Sequence, residues 1–110
     1  DQDSIVVLQF ERWLLEGALR SAKARGDEAL QAQLQAIAQK HNLMRLEAFE
    51  LIGSKDQWHR VWVVEFPTLA GAEAWIDASV SPPYGRYKGQ MFQLARKWAP
   101  AYFARWVSTV

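Results

Sequence analysis

The chain reads as an α+β domain of βαββαβ order, on three observations. Two stretches switch from short apolar, β-branched runs to 3.6-residue spacing, a polar turn separates two strand-like segments at the centre, and the aromatic residues return near the end. With 110 residues, the chain is read as a single domain spanning 1–110.

Residues 4–10, Ser-Ile-Val-Val-Leu-Gln-Phe, are nearly all apolar and suit a central strand buried on both faces. From Glu11 the period changes. Trp13, Leu14, Ala18, Leu19 and Ala22 recur at helical spacing, Gly26 stops the helix, and Asp27 can cap a second one carrying Leu30, Leu34, Ile37 and Ala38. A helical hairpin or one kinked helix is therefore expected over 11–41. Residues 43–52 read as the second strand, Gly53-Ser54-Lys55-Asp56 as a turn, and 57–66 as the third strand, ended by Pro67. Thr68 is a suitable N-cap for a helix over 69–78. Residues 79–89 form the longest loop, with Pro82-Pro83, Gly85 and Gly89. Met91, Leu94, Ala95 and Trp98 predict a helix over 90–98, broken by Pro100, and residues 101–107 the fourth strand. This is the ferredoxin-like split βαβ order, with extra helix in both crossovers and a four-stranded antiparallel sheet. The strands carry large apolar groups on both sides. Helices cover one face only, so a second copy of the sheet is the expected cover for the other, in a two-fold homodimer.

Composition narrows function by exclusion. Thirteen basic and twelve acidic residues give a net charge of +1, which supplies no nucleic-acid footprint. There is no cysteine, hence no disulfide, thiol nucleophile or thiolate metal site. No apolar run is long enough to span a membrane. The chain begins Asp1-Gln2-Asp3, consistent with a removed leader, tag or initiator, so the expectation is a soluble protein, either cytoplasmic or exported after leader cleavage, with the compartment open. No dinucleotide or phosphate-loop pattern and no serine-nucleophile motif occurs. The only histidines are His41 and His59, at no recognised metal-ligand spacing, so no cofactor is predicted; a haem on one axial histidine is the minor alternative.

Six tryptophans in 110 residues are the distinguishing feature, serving core, interface or pocket. Centring the turn on Ser54-Lys55 makes paired residue numbers sum to 109 and sorts side chains by parity. One face then holds Leu46, Ala48, Val61 and Val63, a surface for helices. The other holds Arg45, Glu47, Trp58, Arg60, Trp62 and Phe66, apolar walls with a few charges, as a ligand pocket has. Trp106 adds stacking surface, and the loop residues Tyr84 and Tyr87 can touch a ligand as a lid, with Arg86 or Lys88 meeting an anion. The same register sets Glu50 opposite His59, which is the candidate acid/base residue.

The segment Val63-Val64-Glu65-Phe66-Pro67-Thr68-Leu69-Ala70-Gly71-Ala72-Glu73-Ala74-Trp75 resembles the dimeric α/β-barrel superfamily. It is most similar to small members of unsettled function with a Glu-Phe-Pro-Ser-x-x-x-Ala-x-x-Trp segment. Antibiotic-biosynthesis monooxygenases, muconolactone isomerases and chlorite-dismutase-type haem proteins are more distant relatives. The resemblance implies a dimer whose sheets pack into a barrel, with ligand space between sheet and helices or inside the barrel, and it implies that Phe66 and Trp75 seat the helix on the sheet. It carries no catalytic residue. Three functions follow as expectations: a small-molecule-binding or accessory protein with a Trp/Arg-lined pocket; a cofactor-independent monooxygenase- or isomerase-like enzyme on a small aromatic or cyclic substrate; and a structural or interaction module, which predicts no cavity of ligand size.

Overall fold

The computed structural model describes residues 3–53 and 57–108. The elements run β1 (Ile5–Trp13), α1 (Leu15–Ala18), α2 (Ala22–Arg25), α3 (Asp27–Lys40), β2 (Arg45–Glu50), β3 (Arg60–Phe66), α4 (Leu69–Val80), a 3₁₀ turn (Tyr84–Tyr87), β4 (Lys88–Ala95) and α5 (Pro100–Ser108). The strands form one antiparallel sheet in the order β2-β3-β1-β4. This is the ferredoxin-like topology, with the additional helical pieces of its crossovers in α1, α2 and the 3₁₀ turn.

β1 runs past its expected end at Phe10 because Glu11 and Trp13 still have ladder partners, in Arg60 and Lys88. The helical region therefore starts at Leu15 and comes in three pieces. Ser21 caps α2 by accepting from the Ala24 amide at 3.1 Å, and Gly26 ends it at φ 79°, a left-handed conformation that glycine takes without strain. Asp27 opens α3, and its carboxylate pairs with Arg25 at 2.8 Å. Thr68 caps α4 as expected, accepting from the Gly71 amide at 3.3 Å.

The last two elements are exchanged relative to expectation. Residues 90–98 were expected to be helical, yet Lys88–Ala95 is β4, and the expected strand over 101–107 lies inside α5. Met91, Leu94, Ala95 and Trp98 recur at helical spacing while Phe92 and Leu94 alternate as in a strand, and the unfilled edge of β1 decides for the strand. Pro100 is the first residue of α5, not a breaker; the N–H it lacks would have no partner in a first turn anyway.

The register between β2 and β3 is one residue away from expectation. Arg45 pairs with Glu65 and Glu50 with Arg60, so paired numbers sum to 110. The extra residue falls in the connection between the strands, whose expected centre, Ser54-Lys55, lies outside the described residues. A one-residue slip turns β2 over relative to β3. Leu46 and Ala48 join Trp62, Val64 and Phe66 on the helix side; Arg45, Glu47 and Phe49 join Val61 and Val63 on the other. The core lies on the helix side, where Ile5, Val7, Val64 and Phe66 meet Ala72 and Trp75 of α4. Phe66 and Trp75 touch with ring centroids 5.9 Å apart, as the resemblance implied and as parity alone did not. Burying each such side chain stabilises the fold by roughly 1.5–3 kcal/mol. On the opposite side Val6, Leu8, Phe10, Val61, Val63 and Met91 form a half-buried apolar strip against which no described helix packs extensively.

Candidate functional site

The odd residues of β1 run beneath the helices from apolar to polar: Ile5, Val7, Gln9, Glu11, Trp13. Both polar members are buried and each holds an indole. Trp75 Nε1 donates to Gln9 Oε1 at 3.0 Å, and Trp62 Nε1 donates to Glu11 Oε1 at 2.9 Å. Glu11 Oε1 also accepts from Lys88 Nζ at 2.8 Å, in an ion pair whose side chains are 3% and 4% exposed. The ammonium lies over the rings of Trp13 and Tyr84, 4.4 and 4.9 Å from their centroids. Burial pushes Lys88 below the ordinary lysine range, with Glu11 opposing the shift. Burial, then the charges of Glu11 and Asp27, push the Tyr84 phenol well above its usual value, so it stays neutral.

Two cavities flank this group. An apolar cleft of about 450 Å³ opens between α3 and the sheet; Trp62 and Trp75 contribute to its floor, Leu30, Leu34 and Ala38 of α3 its roof, and Leu43, Leu46 and Tyr84 its sides. Its polar lining is Asp27, Gln31 and Gln35, with no cation. A polar cavity of about 300 Å³ lies at the far end of β1, lined by Glu11, Arg12, Trp13, Glu50, His59, Arg60 and Lys88. Trp62 and Tyr84 line the cleft and contact the Glu11–Lys88 pair that lines the polar cavity, so the two spaces share a wall.

The expected site residues are dispersed. Trp62 and Tyr84 line the cleft; His59 and Arg60 line the polar cavity. His59 is not opposite Glu50, which pairs with Arg60; the His59 amide donates to the Glu11 carbonyl at 3.0 Å. Arg45 and Glu47 pair with each other on the open face, and Trp58 packs on Phe10 there, with centroids 6.2 Å apart. The side placed away from the helices as a pocket thus loses Trp62 and Phe66 to the core side, for the register reason given above. Tyr87 is buried, with Arg20 and Arg86 against its ring at 5.3 and 5.7 Å. Lys88 meets Glu11. Trp106 lies on α5 and is 59% exposed. Glu11, Trp13, Trp75 and the α3 leucines were missed. The signal was present in the alternation that continues past Phe10 to Trp13.

No protein-family model matches the chain, and no curated protein matches it in sequence. Solved structures do. A variant chlorite dismutase from Candidatus Nitrospira defluvii superposes with a TM-score of 0.66 at 14% identity, over 96% of this chain and 44% of that one. The same enzyme in complex with imidazole gives the same values. A dimeric protein of unknown function and ferredoxin-like fold from Bacteroides fragilis superposes at 0.51 with 9% identity, over 87% of this chain and 98% of that one. What is shared is the fold. The ferredoxin-like chain spans less than half the length of the chlorite dismutase it matches.

The apolar cleft is poorly suited to a haem. The cleft is lined by no histidine, cysteine or methionine, and its one side chain of an axial-ligand type is Tyr84. His41 stands edge-on to Phe66 at 6.4 Å, at the end of α3, and does not line the cleft. His59 lines the smaller cavity, where charged groups predominate. Among the described residues no group of three or more His, Asp or Glu is placed to hold a metal ion.

Proposed function

We propose that the chain binds a small, flat, largely apolar and uncharged molecule in the cleft between α3 and the sheet. The observation that carries this reading is the state of the floor. The N–H groups of Trp62 and Trp75 are already bound to Glu11 and Gln9, so the indoles offer hydrocarbon surface and not donors. Their neighbours in the lining are leucine and alanine, with Gln31, Gln35 and Tyr84 to orient a polar group. A volume of about 450 Å³ suits a small ligand, and it speaks against a module whose tryptophans are all spent on packing. The arginines do not line this cleft, so an anionic ligand is not favoured there.

A neutral fluorescent probe, N-phenyl-1-naphthylamine, tests the site. Saturable enhancement at one site per chain is expected, and Ala38→Trp, which fills the roof, should abolish it. Enhancement that never saturates, or that survives A38W in a folded variant, would overturn the proposal.

A second reading has its own observation. The buried Lys88, held by Glu11 beside His59 and Arg60, is an arrangement suited to proton transfer, as a cofactor-independent monooxygenase- or isomerase-like enzyme would need. Turnover of a cyclic enolisable substrate that is lost in both H59A and E11Q would favour it; turnover unaffected by both would remove it.

The open apolar strip supports a homodimer in which a second copy covers the sheet. Sedimentation equilibrium should give twice the chain mass at micromolar concentration, and a monomer throughout would refute it.

A further inference from the structure

We propose that α5 is an arm that seats its aromatic face on a second copy of this chain, at the rim of the open sheet face; this rests on the dimer reading above. Four aromatic rings are gathered at the arm. Phe103 is the centre, with Trp98, Tyr102 and Trp106 at centroid distances of 5.2, 5.1 and 5.2 Å. The outer members point to solvent: Trp98 is 80% exposed, Val107 77%, Trp106 59% and Tyr102 48%. Among the described residues no other element packs extensively against α5.

The lead-in to α5 fixes the side on which it leaves. Glu65 belongs to the β3 row that faces away from the helices, with Val61 and Val63, and Ser4 Oγ donates to it at 2.5 Å. Lys97, just beyond β4, reaches the same carboxylate at 3.3 Å. Ala99 then turns at φ 49°, a left-handed value for a non-glycine residue, and Pro100 starts the helix. The lead-in to α5 is thereby tied to the β3 row that carries Val61 and Val63.

Area and composition favour a second copy. A buried aromatic side chain covers about 150–250 Å², so the exposed parts of these residues amount to on the order of 400 Å² per arm. Two arms related by a two-fold axis would supply roughly half of the 1,200–2,000 Å² that a stable interface buries, and the sheet strips the remainder. Trp, Tyr and Arg are the residues that dominate protein contacts, and Arg105 completes that set. A lipid surface would instead require a polar face rich in cations. The rest of α5 supplies Ala101 and Ala104, its single arginine lies over the Tyr102 ring, and Lys97 is engaged by Glu65.

Sedimentation equilibrium of the full chain and of Trp98→Ser/Trp106→Ser tests the arm, with circular dichroism as the check on folding and Trp106→Phe as the conservative control. The expected result is a dimer whose dissociation constant rises at least tenfold in the double variant and stays within threefold in W106F. A wild-type dimer unweakened in the folded double variant would overturn the arm and leave the sheet-face dimer standing. A wild type that is monomeric throughout would overturn both. A monomeric wild type that binds phosphatidylserine–phosphatidylcholine vesicles, when the double variant does not, would assign the arm to lipid instead.

Discussion

Replacing Lys88 by Met removes a buried ammonium while keeping the length of its stem, and leaves the Glu11 carboxylate 3% exposed with its Trp62 hydrogen bond but without its ion-pair partner. Breaking a buried pair from one side costs about 3–5 kcal/mol, because the remaining charge stays desolvated. The lost contacts with the rings of Trp13 and Tyr84 add about 0.5–2 kcal/mol. For a domain of this size that corresponds to a fall in Tm on the order of 15–30 °C. Glu11→Gln in the K88M background removes the second charge and retains an oxygen for the Trp62 N–H. Neutral replacement of a whole pair is often without penalty, so E11Q/K88M should lie within about 1 kcal/mol of the wild type. Urea titration at one fixed protein concentration, followed by far-UV circular dichroism, measures all three chains. The pH dependence gives a second readout. Because Lys88 titrates below the ordinary lysine value in the folded state, the unfolded chain binds the extra proton between the two values. The penalty for holding the ammonium is therefore full below the folded value and is relieved as pH rises towards the ordinary one. The wild type should gain stability over that alkaline window, and K88M should not share the gain. A double variant as unstable as K88M would show that Lys88 acts through packing, and the electrostatic account would fall.

Two further perturbations test the frame around the site. The Ser4 hydroxyl, assisted by Lys97, holds Glu65 below the usual carboxylate range, so its contribution is present above that range and disappears as pH falls through the folded value. S4A should cost about 1.5–3 kcal/mol near neutrality and much less in acid, with acid unfolding moved to higher pH; thermal melts across about pH 2–7 that show one constant loss would contradict this. Gly71→Ala would place a Cβ 2.7 Å from a Phe66 ring carbon and 2.9 Å from His41 Cβ, both in packed surroundings. Overpacking of about 1–3 kcal/mol should outweigh the roughly 1 kcal/mol that alanine adds inside a helix, so G71A should melt lower than wild type, and a higher melting point would refute the crowding.

The fold class was legible because β1, α3, β3 and α4 each show one dominant period and clear punctuation, Gly26 and Thr68 above all. What was not legible has physical causes. At β4 the apolar residues satisfy two periods at once, and only the vacant edge of β1 decides between them. At the β2–β3 connection a single residue of loop length sets which side every β2 side chain takes, and loop length is not written in the strands. The candidate site suffered from both. Trp62 and Tyr84 line the cleft, and their aromatic character marks apolar surface wherever it lies. Glu11 and Lys88 were missed as a pair because their contact spans 77 positions and depends on the β1–β4 ladder that had been assigned to helix.

The helix-facing side of the sheet is graded, and the grading explains why ligand space lies where it does. At the Ile5–Phe66 end, α4 seats Trp75 and Ala72 against the strands, and nothing polar needs accommodation. Further along β1 the same row becomes Gln9 and Glu11, whose buried oxygens each require a donor. The sheet cannot supply those donors from its backbone, because the ladder already uses the N–H groups. They come from side chains, the indoles of Trp75 and Trp62 and the ammonium of Lys88. A tryptophan fixed by its N–H cannot turn to fill the space above it. α3 meets that fixed floor with leucine and alanine, so packing leaves a gap of ligand size where an unrestrained side chain would have closed it. Freeing the indole should therefore let the cleft contract. Trp62→Phe, which keeps the ring but not the donor, should weaken probe binding more than its small loss of surface explains. An unchanged probe affinity in W62F would show that the hydrogen bond does not hold the cleft open.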